Sequence, residues 1–388
     1  MDVTCLCRFL ADKIKLTHIR DNNNYSALSS QNYSKLHQPF TLMPEQSRLT
    51  KFFAVTKRSA SKYNDFVYDP SKHLAFFSPD ETVGNQPGTH LVTTVNQLRL
   101  WYITPADSND SCVKPFEFAT NITPLLKSHL QKSIRRRNMS AAIRTAYTMC
   151  ITSPSDILRR LPIIAIEDVE LVQGTSIIVW LMMTVSKRQL TALDIRLVLG
   201  YVERLVRTDN TFRHNKTQAL HNEKPTHQTI VSTCSESENA GVLSEMLALH
   251  YRIQFGGMPG DMLMMQRALE AYLDDTKLSE TDTLTTYEPK TFPELMLPSA
   301  MEPDFVMASI DFHCYPWMLK KISEKTGLSQ AQVKKLNWFC DSSVNERKEW
   351  TKRRAEQNAR TDDWKAIKPQ LDRWRLFILS KIEEQIYE

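Results

Sequence analysis

Apolar residues along this chain change their spacing near residue 123. Beyond it they recur every three to four positions. Leu126, Leu130 and Ile134 form a stripe at i, i+4 and i+8, flanked by Lys127, Gln131 and Arg135, and that period predicts an amphipathic helix. Thr123 suits its cap and Pro124 its first turn. The Ala-rich residues 139–151 predict a second helix, and Ser153-Pro154 starts a third by the same logic, running to residue 166. Residues 177–185 and 190–206 predict two more, with Thr191 as a cap. Residues 242–255 and 262–273 follow, hinged at Gly256-Gly-Met-Pro-Gly260. Residues 208–236 carry no apolar stripe and are expected to be a loop or insertion. Residues 276–298 are acidic and contain proline, as a linker would. The last part is helical again, over 316–326, 329–340, 343–360 and 362–386, with Gly327 ending the first of these and Ser329 capping the second.

Upstream the pattern differs. Residues 66–118 carry aromatic and β-branched residues between Pro and Gly breaks, and Leu98, Leu100 and Tyr102 alternate with Gln97, Arg99 and Trp101. That period of two predicts a small strand pair or an ordered extended arm. Residues 1–65 are dominated by Asn, Ser, Gln, Thr and Tyr, with little periodicity beyond a short helix over 5–15, and are expected to be largely unstructured. The expected fold is therefore mainly α: a multi-helix bundle with a disordered N-terminal arm and a small extended or β segment. Its divisions are expected at 1–65, 66–118, 119–275, 276–300 and 301–388.

Composition adds limits. The 388 residues are 41% hydrophobic and 24% charged, as in soluble globular proteins. A net charge of +5 is only mildly basic, so nucleic-acid binding has to be sought in local patches. The seven cysteines are odd in number and lack a Cys-x-x-Cys pair. That argues against a disulfide scaffold or zinc ribbon and for a reducing compartment. Cys5, Cys7 and His18 are candidate metal ligands only in principle. The longest apolar run, residues 177–183, is far too short to span a bilayer. With no signal-peptide pattern in residues 1–15, the expected location is the nucleus or cytoplasm, or a viral replication site.

One short stretch carries chemistry of its own. Gln46-Ser-Arg-Leu49-Thr-Lys-Phe52-Phe53 resembles the PIP box, the peptide that binds the sliding clamp (PCNA). One tight helical turn puts residues three and four apart on one side. Leu49, Phe52 and Phe53 then form a single apolar plug, with Gln46 left to hydrogen-bond at the pocket rim. An unstructured arm suits such a peptide, which has to dock on another protein.

A longer block points the same way. Lys132, Ser133, Arg135, Ala141, Ala142, Pro154, Arg159, Arg160, Leu161, Ala165, Glu167, Asp168, Val169 and Leu171 match the pattern of a known helical domain. The block resembles the C-terminal oligomerisation domain of the MgsA/RarA family, the Werner-helicase-interacting ATPases, which are relatives of clamp-loader subunits. Ser153 stands where Asp is usual and Glu170 where Gly is. The family's ATPase module has no counterpart, because no Gly-x-x-x-x-Gly-Lys-Ser/Thr loop occurs to cradle a triphosphate. The resemblance thus implies a replication-linked, oligomerising helical scaffold without the motor.

The candidate DNA contacts lie in the same block. Between Phe118 and Ser155 there is no acidic residue, while Lys127, Lys132, Arg135, Arg136, Arg137 and Arg144 supply positive charge. The alternative is that these cations pair with acids elsewhere. Glu167 and Asp168 are expected to anchor Arg159 or Arg160. Asp261 is expected to cap the helix after the glycine-rich turn, unless that turn meets a phosphate. His313 is expected to be buried and structural. Residues 347–360 mix basic and acidic side chains, and Trp338, Trp350, Trp364 and Trp374 punctuate the region. It is expected to be a packed bundle, with a grip on single-stranded DNA as the alternative.

The expected function is a non-enzymatic replication or repair accessory protein, with the sliding clamp as partner and DNA and a second copy of itself as further ones. No catalytic residue, metal or cofactor is assigned. The alternative is a clamp-tethered, metal-dependent nuclease using Asp168, Asp261, Asp311 and His313.

Overall fold

The computed structural model describes residues 64–80, 82–105, 112–113, 122–209, 225–235, 240–274, 283–288 and 305–387. All belong to one compact unit, Ser59–Glu388. The clamp-type peptide at Gln46, Leu49, Phe52 and Phe53 and the short helix expected over 5–15 lie outside the described residues.

Four strands come first: β1 (Asp65–Asp69), β2 (Leu74–Ser78), β3 (Thr89–Val95) and β4 (Leu98–Ile103). In place of a strand pair they build a single mixed sheet in the order β2-β1-β4-β3. The outer pairs are antiparallel and the central pair, β1 with β4, is parallel. Asn96 and Gln97 join β3 to β4, both at positive φ, as a two-residue primed hairpin turn requires. The alternation along β4 is visible in burial: Leu98 and Leu100 are buried, while Arg99 turns aside to make two 2.6 Å bonds to Asp65.

Twelve α-helices follow among the described residues. They are α1 (Thr123–Arg135), α2 (Met139–Thr152), α3 (Pro154–Asp168), α4 (Thr175–Thr184), α5 (Ala192–Arg207), α6 (His227–Ser235), α7 (Ala240–Gln254), α8 (Pro259–Asp274), α9 (Trp317–Thr326), α10 (Gln330–Asn337), α11 (Glu349–Ala359) and α12 (Asp362–Tyr387). The fold is therefore mainly α. Helix α6 falls inside the stretch expected to be a loop. Its two inward residues, Ile230 and Cys234, are too few and too close to show a stripe.

Helix α4 is buried all round, which explains its continuous apolar run: it is the centre of the core rather than a surface helix. The sheet packs on it. Trp180 donates its indole N–H to the Phe66 carbonyl at 3.1 Å and packs against Tyr68 with the ring centroids 4.8 Å apart and the planes tilted by 40°. The hydroxyl of Tyr68 in turn reaches Asp194 at 2.8 Å. No helix among the described residues is long and apolar enough to cross a membrane.

Three expected caps are absent. Thr123 is already helical, behind Ile122, and Ser153 makes no cap hydrogen bond at α3. Asp261 sits inside the first turn of α8. Thr191 and Ser329 do cap, each closing a reciprocal box with the residue three positions on. At α2 the cap is Asn138, which accepts from the Ala141 N–H at 3.1 Å.

The expected linker is partly packed. Leu284 is buried, and the Tyr287 N–H donates to the Arg196 carbonyl on α5 at 3.0 Å. A Cβ placed on Gly200 would come within 2.0 Å of the Thr285 carbonyl oxygen, so this glycine is what lets the segment lie against the helix. Gly→Ala inside a helix ordinarily stabilises by about 1 kcal/mol. Gly200→Ala is expected instead to cost about 1–3 kcal/mol, because two backbones have to part. A urea midpoint that falls checks this, and one that rises contradicts it.

Candidate functional site

The inner face of α1 presents Gln131, Lys132 and Arg135, and all three are buried. Opposite them the C-terminal end of α3 brings Glu167 and Asp168. Arg135 binds Asp168 through Nε at 2.7 Å and Nη2 at 3.1 Å, and reaches Glu167 at 3.1 Å. Gln131 donates to both carboxylates, at 2.8 and 2.9 Å. Asn345 adds a fourth bond to the Asp168 carboxylate at 3.2 Å.

Burial alone would lower the Arg135 guanidinium, but the adjacent Asp168 charge raises it above its ordinary value. Burial, and then the Asp168 charge, raise the Glu167 carboxyl. The two acids thus anchor Arg135 from another helix rather than Arg159 or Arg160. Arg160 is linked only indirectly: it donates to Gln131 Oε1 and lies 3.6 Å from Asp261.

Lys132 forms a second buried pair. Its ammonium contacts Asp311 and donates to the Ala308 carbonyl at 2.7 Å. Burial would raise the Asp311 carboxyl, yet hydrogen bonds from His313 and the Lys132 charge hold it well below the usual carboxylate range. His313 itself is exposed. The buried member of that motif is the aspartate, the reverse of the expectation.

The remaining candidate DNA contacts are spread out. Arg136 donates to the Asp341 carbonyl at 2.5 Å, and Arg137 lies 2.6 Å from Asp209. Lys127 pairs with Asp156 at 2.8 Å, and Arg144 is half-buried on α2. Lys132 and Arg135 are buried against carboxylates, so neither offers charge to a polyanion. The structure does not gather these six cations on one open face.

The same network ties down the C-terminal segment. Arg135 Nη1 donates to the Ser342 carbonyl at 2.8 Å. Arg347 bonds the carbonyls of Ile134, Leu205, Val206 and Thr208, at 2.5 to 2.9 Å. It thereby fills the last carbonyls of α1 and α5, where a cation also suits the helix dipole. Above this floor, Trp338, Phe339, Lys348, Trp350 and Arg354 line an open cleft of about 170 Å³. That is below the roughly 300–1,000 Å³ of pockets that enclose a small-molecule ligand. Among the described residues, no group of three or more His, Cys, Asp or Glu is arranged to hold a metal ion. Sequence reasoning missed Asn345 and Gln131, which lack any local signal. It noted Arg347 only as one of a basic run.

A third buried carboxylate is structural. Glu245 accepts the Gly174 and Ser176 N–H groups at 2.9 and 2.8 Å, closing the start of α4. Burial outweighs those bonds and pushes its carboxyl up to about 7, from an ordinary value of 4.5. Folding therefore favours the protonated form. That stability is fully present below pH 4.5 and is lost as pH rises through 7. Glu245→Gln is expected to shift the stability difference from the parent in the variant's favour, by on the order of 3 kcal/mol between pH 4.5 and 8. Denaturation series at the two pH values check it; a constant difference contradicts it.

The chain matches no protein-family model, no curated protein and no solved structure.

Proposed function

We propose that this chain is a non-enzymatic accessory protein of DNA replication or repair. It is tethered to the sliding clamp through Gln46, Leu49, Phe52 and Phe53, and its helical bundle oligomerises and contacts DNA. The observation that carries the proposal is the eight-residue peptide itself, in which all four motif positions are filled and the spacers Ser47, Arg48, Thr50 and Lys51 are polar or charged.

The resemblance to the clamp-loader relatives supports it. Of the matched positions, Ala141, Ala142, Leu161 and Ala165 are core residues, and Lys132, Arg135 and Asp168 are the buried polar network. These residues hold helices together, as a scaffold's would. The nuclease alternative is less well supported. A catalytic metal needs acids open to it, whereas Asp168 is occupied by Arg135 and Asp311 by Lys132. The test is calorimetry of a peptide spanning residues 40–62 with the clamp. Saturable heat that vanishes when both phenylalanines become alanine supports the proposal, and no heat from the parent peptide removes it.

A further inference from the structure

The chain has seven tryptophans, and all lie among the described residues. Five are buried or half-buried. Trp338 is 45% exposed and Trp350 57% exposed, and both line the cleft above the Arg135–Asp168 floor. A tryptophan can bury 150–250 Å² in a core, according to the general behaviour of aromatic side chains, roughly the largest payload available. Two left in water on one cleft have a use for their open ring faces.

Their setting is positive. From Gln330 to Arg360 there are eight Lys or Arg residues and four acids. Lys334, Lys335, Arg353 and Arg354 are exposed. The Arg354 guanidinium lies 3.7 Å from the Phe339 ring centroid, on the cleft wall. The acids beneath do not cancel this charge: Glu167 and Asp168 line the cleft together with three cations, Arg135, Lys348 and Arg354, and both are bound by Arg135.

The cleft is also held rigid. Helix α10 ends in a π turn, Trp338–Ser342, that re-aims Trp338 and Phe339. Bonds from Arg135 to the Ser342 carbonyl, from Arg136 to the Asp341 carbonyl and from Asn337 to the Ser342 hydroxyl pin that turn. On the other wall Thr351 exchanges hydrogen bonds with Asn345 at 3.0 Å, fixing the start of α11 next to Trp350.

We propose that the Trp338–Trp350 cleft is a stacking surface for single-stranded nucleic acid. Open aromatic faces bind unpaired bases regardless of sequence, and nearby cations track the phosphates. Duplex bases are already stacked on one another and offer no free face. The cleft is too open to enclose a small ligand, and its net positive wall disfavours an acidic floor as the recognition element. The proposal rests on the reading that the tethered body works on nucleic acid, and deepens it by naming the surface and the strand state.

The test is fluorescence anisotropy of the full chain with labelled single-stranded 20-mers of dT and rU and with a duplex of equal length. The parent is expected to bind at least one single strand tenfold or more tighter than the duplex, with an affinity that falls as salt rises. Trp338→Leu with Trp350→Leu keeps apolar area but removes the ring faces, and is expected to weaken single-strand binding at least tenfold at an unchanged Tm. Trp→Phe at both positions should restore most of it. No single-strand binding at low salt overturns the proposal. So does a leucine variant that binds as the parent does, a result that would instead favour an apolar protein partner. Phe52→Ala with Phe53→Ala should leave strand binding unchanged, so failure here is separable from failure of the clamp tether.

Discussion

Arg135→Ala is expected to destabilise the folded unit by about 3–5 kcal/mol, the cost of removing one partner from a buried ion pair. Arg135 is 5% exposed and its guanidinium makes every close cationic contact of Asp168, itself 2% exposed. Without it, Asp168 keeps only the neutral amides of Gln131 and Asn345. The Ser342 carbonyl loses its donor too, so the π turn beneath Trp338 loosens. A domain of this size has a net stability of roughly 5–15 kcal/mol, so the loss should show as a sharply lower urea midpoint.

The double change Arg135→Met with Asp168→Leu is expected to recover most of that loss, since replacing both partners by apolar groups removes the uncompensated charge. A double-mutant cycle measures the difference. If Arg135→Ala leaves the midpoint within experimental error, the network is not what joins α1, α3 and the C-terminal segment.

Much of the fold is legible in the sequence because helices advertise themselves by period. The stripe of Leu126, Leu130 and Ile134 appears as a buried face, and Thr191 and Ser329 cap as their chemistry demands. What the sequence hides is long-range. Asp65 meets Arg99 through the parallel pairing of β1 and β4, a partnership that no local spacing encodes. The charged block fails for the same reason. Lys132 and Arg135 look like a basic patch because their carboxylates, Asp311 and Asp168, lie 179 and 33 residues away. Caps are ambiguous where two residues compete. Ser153-Pro154 and Thr123-Pro124 carry the right letters, yet α1 takes Ile122 as its cap position and Ser153 makes no cap hydrogen bond. Trp338 and Trp350 were visible as part of an aromatic-rich helical region, but not that these two, unlike Trp364 and Trp374, would face water.

Phe52→Ala with Phe53→Ala is expected to abolish clamp binding altogether. Anchor aromatics of an interface cost about 2 kcal/mol or more each when truncated. Two of them together amount to roughly a thousandfold in Kd, which carries a short-peptide interaction out of the measurable range. Gln46→Ala, which removes a rim hydrogen bond, should weaken binding by a smaller factor, about tenfold. A Tm that stays at the parent value in both variants separates the loss of binding from a loss of folding.

The most direct measurement is surface capture of the full chain on immobilised sliding clamp, parent against the Phe52→Ala, Phe53→Ala variant. Saturable binding by the parent and none by the variant is the expected result. Equal binding by both, or none by the parent, contradicts it.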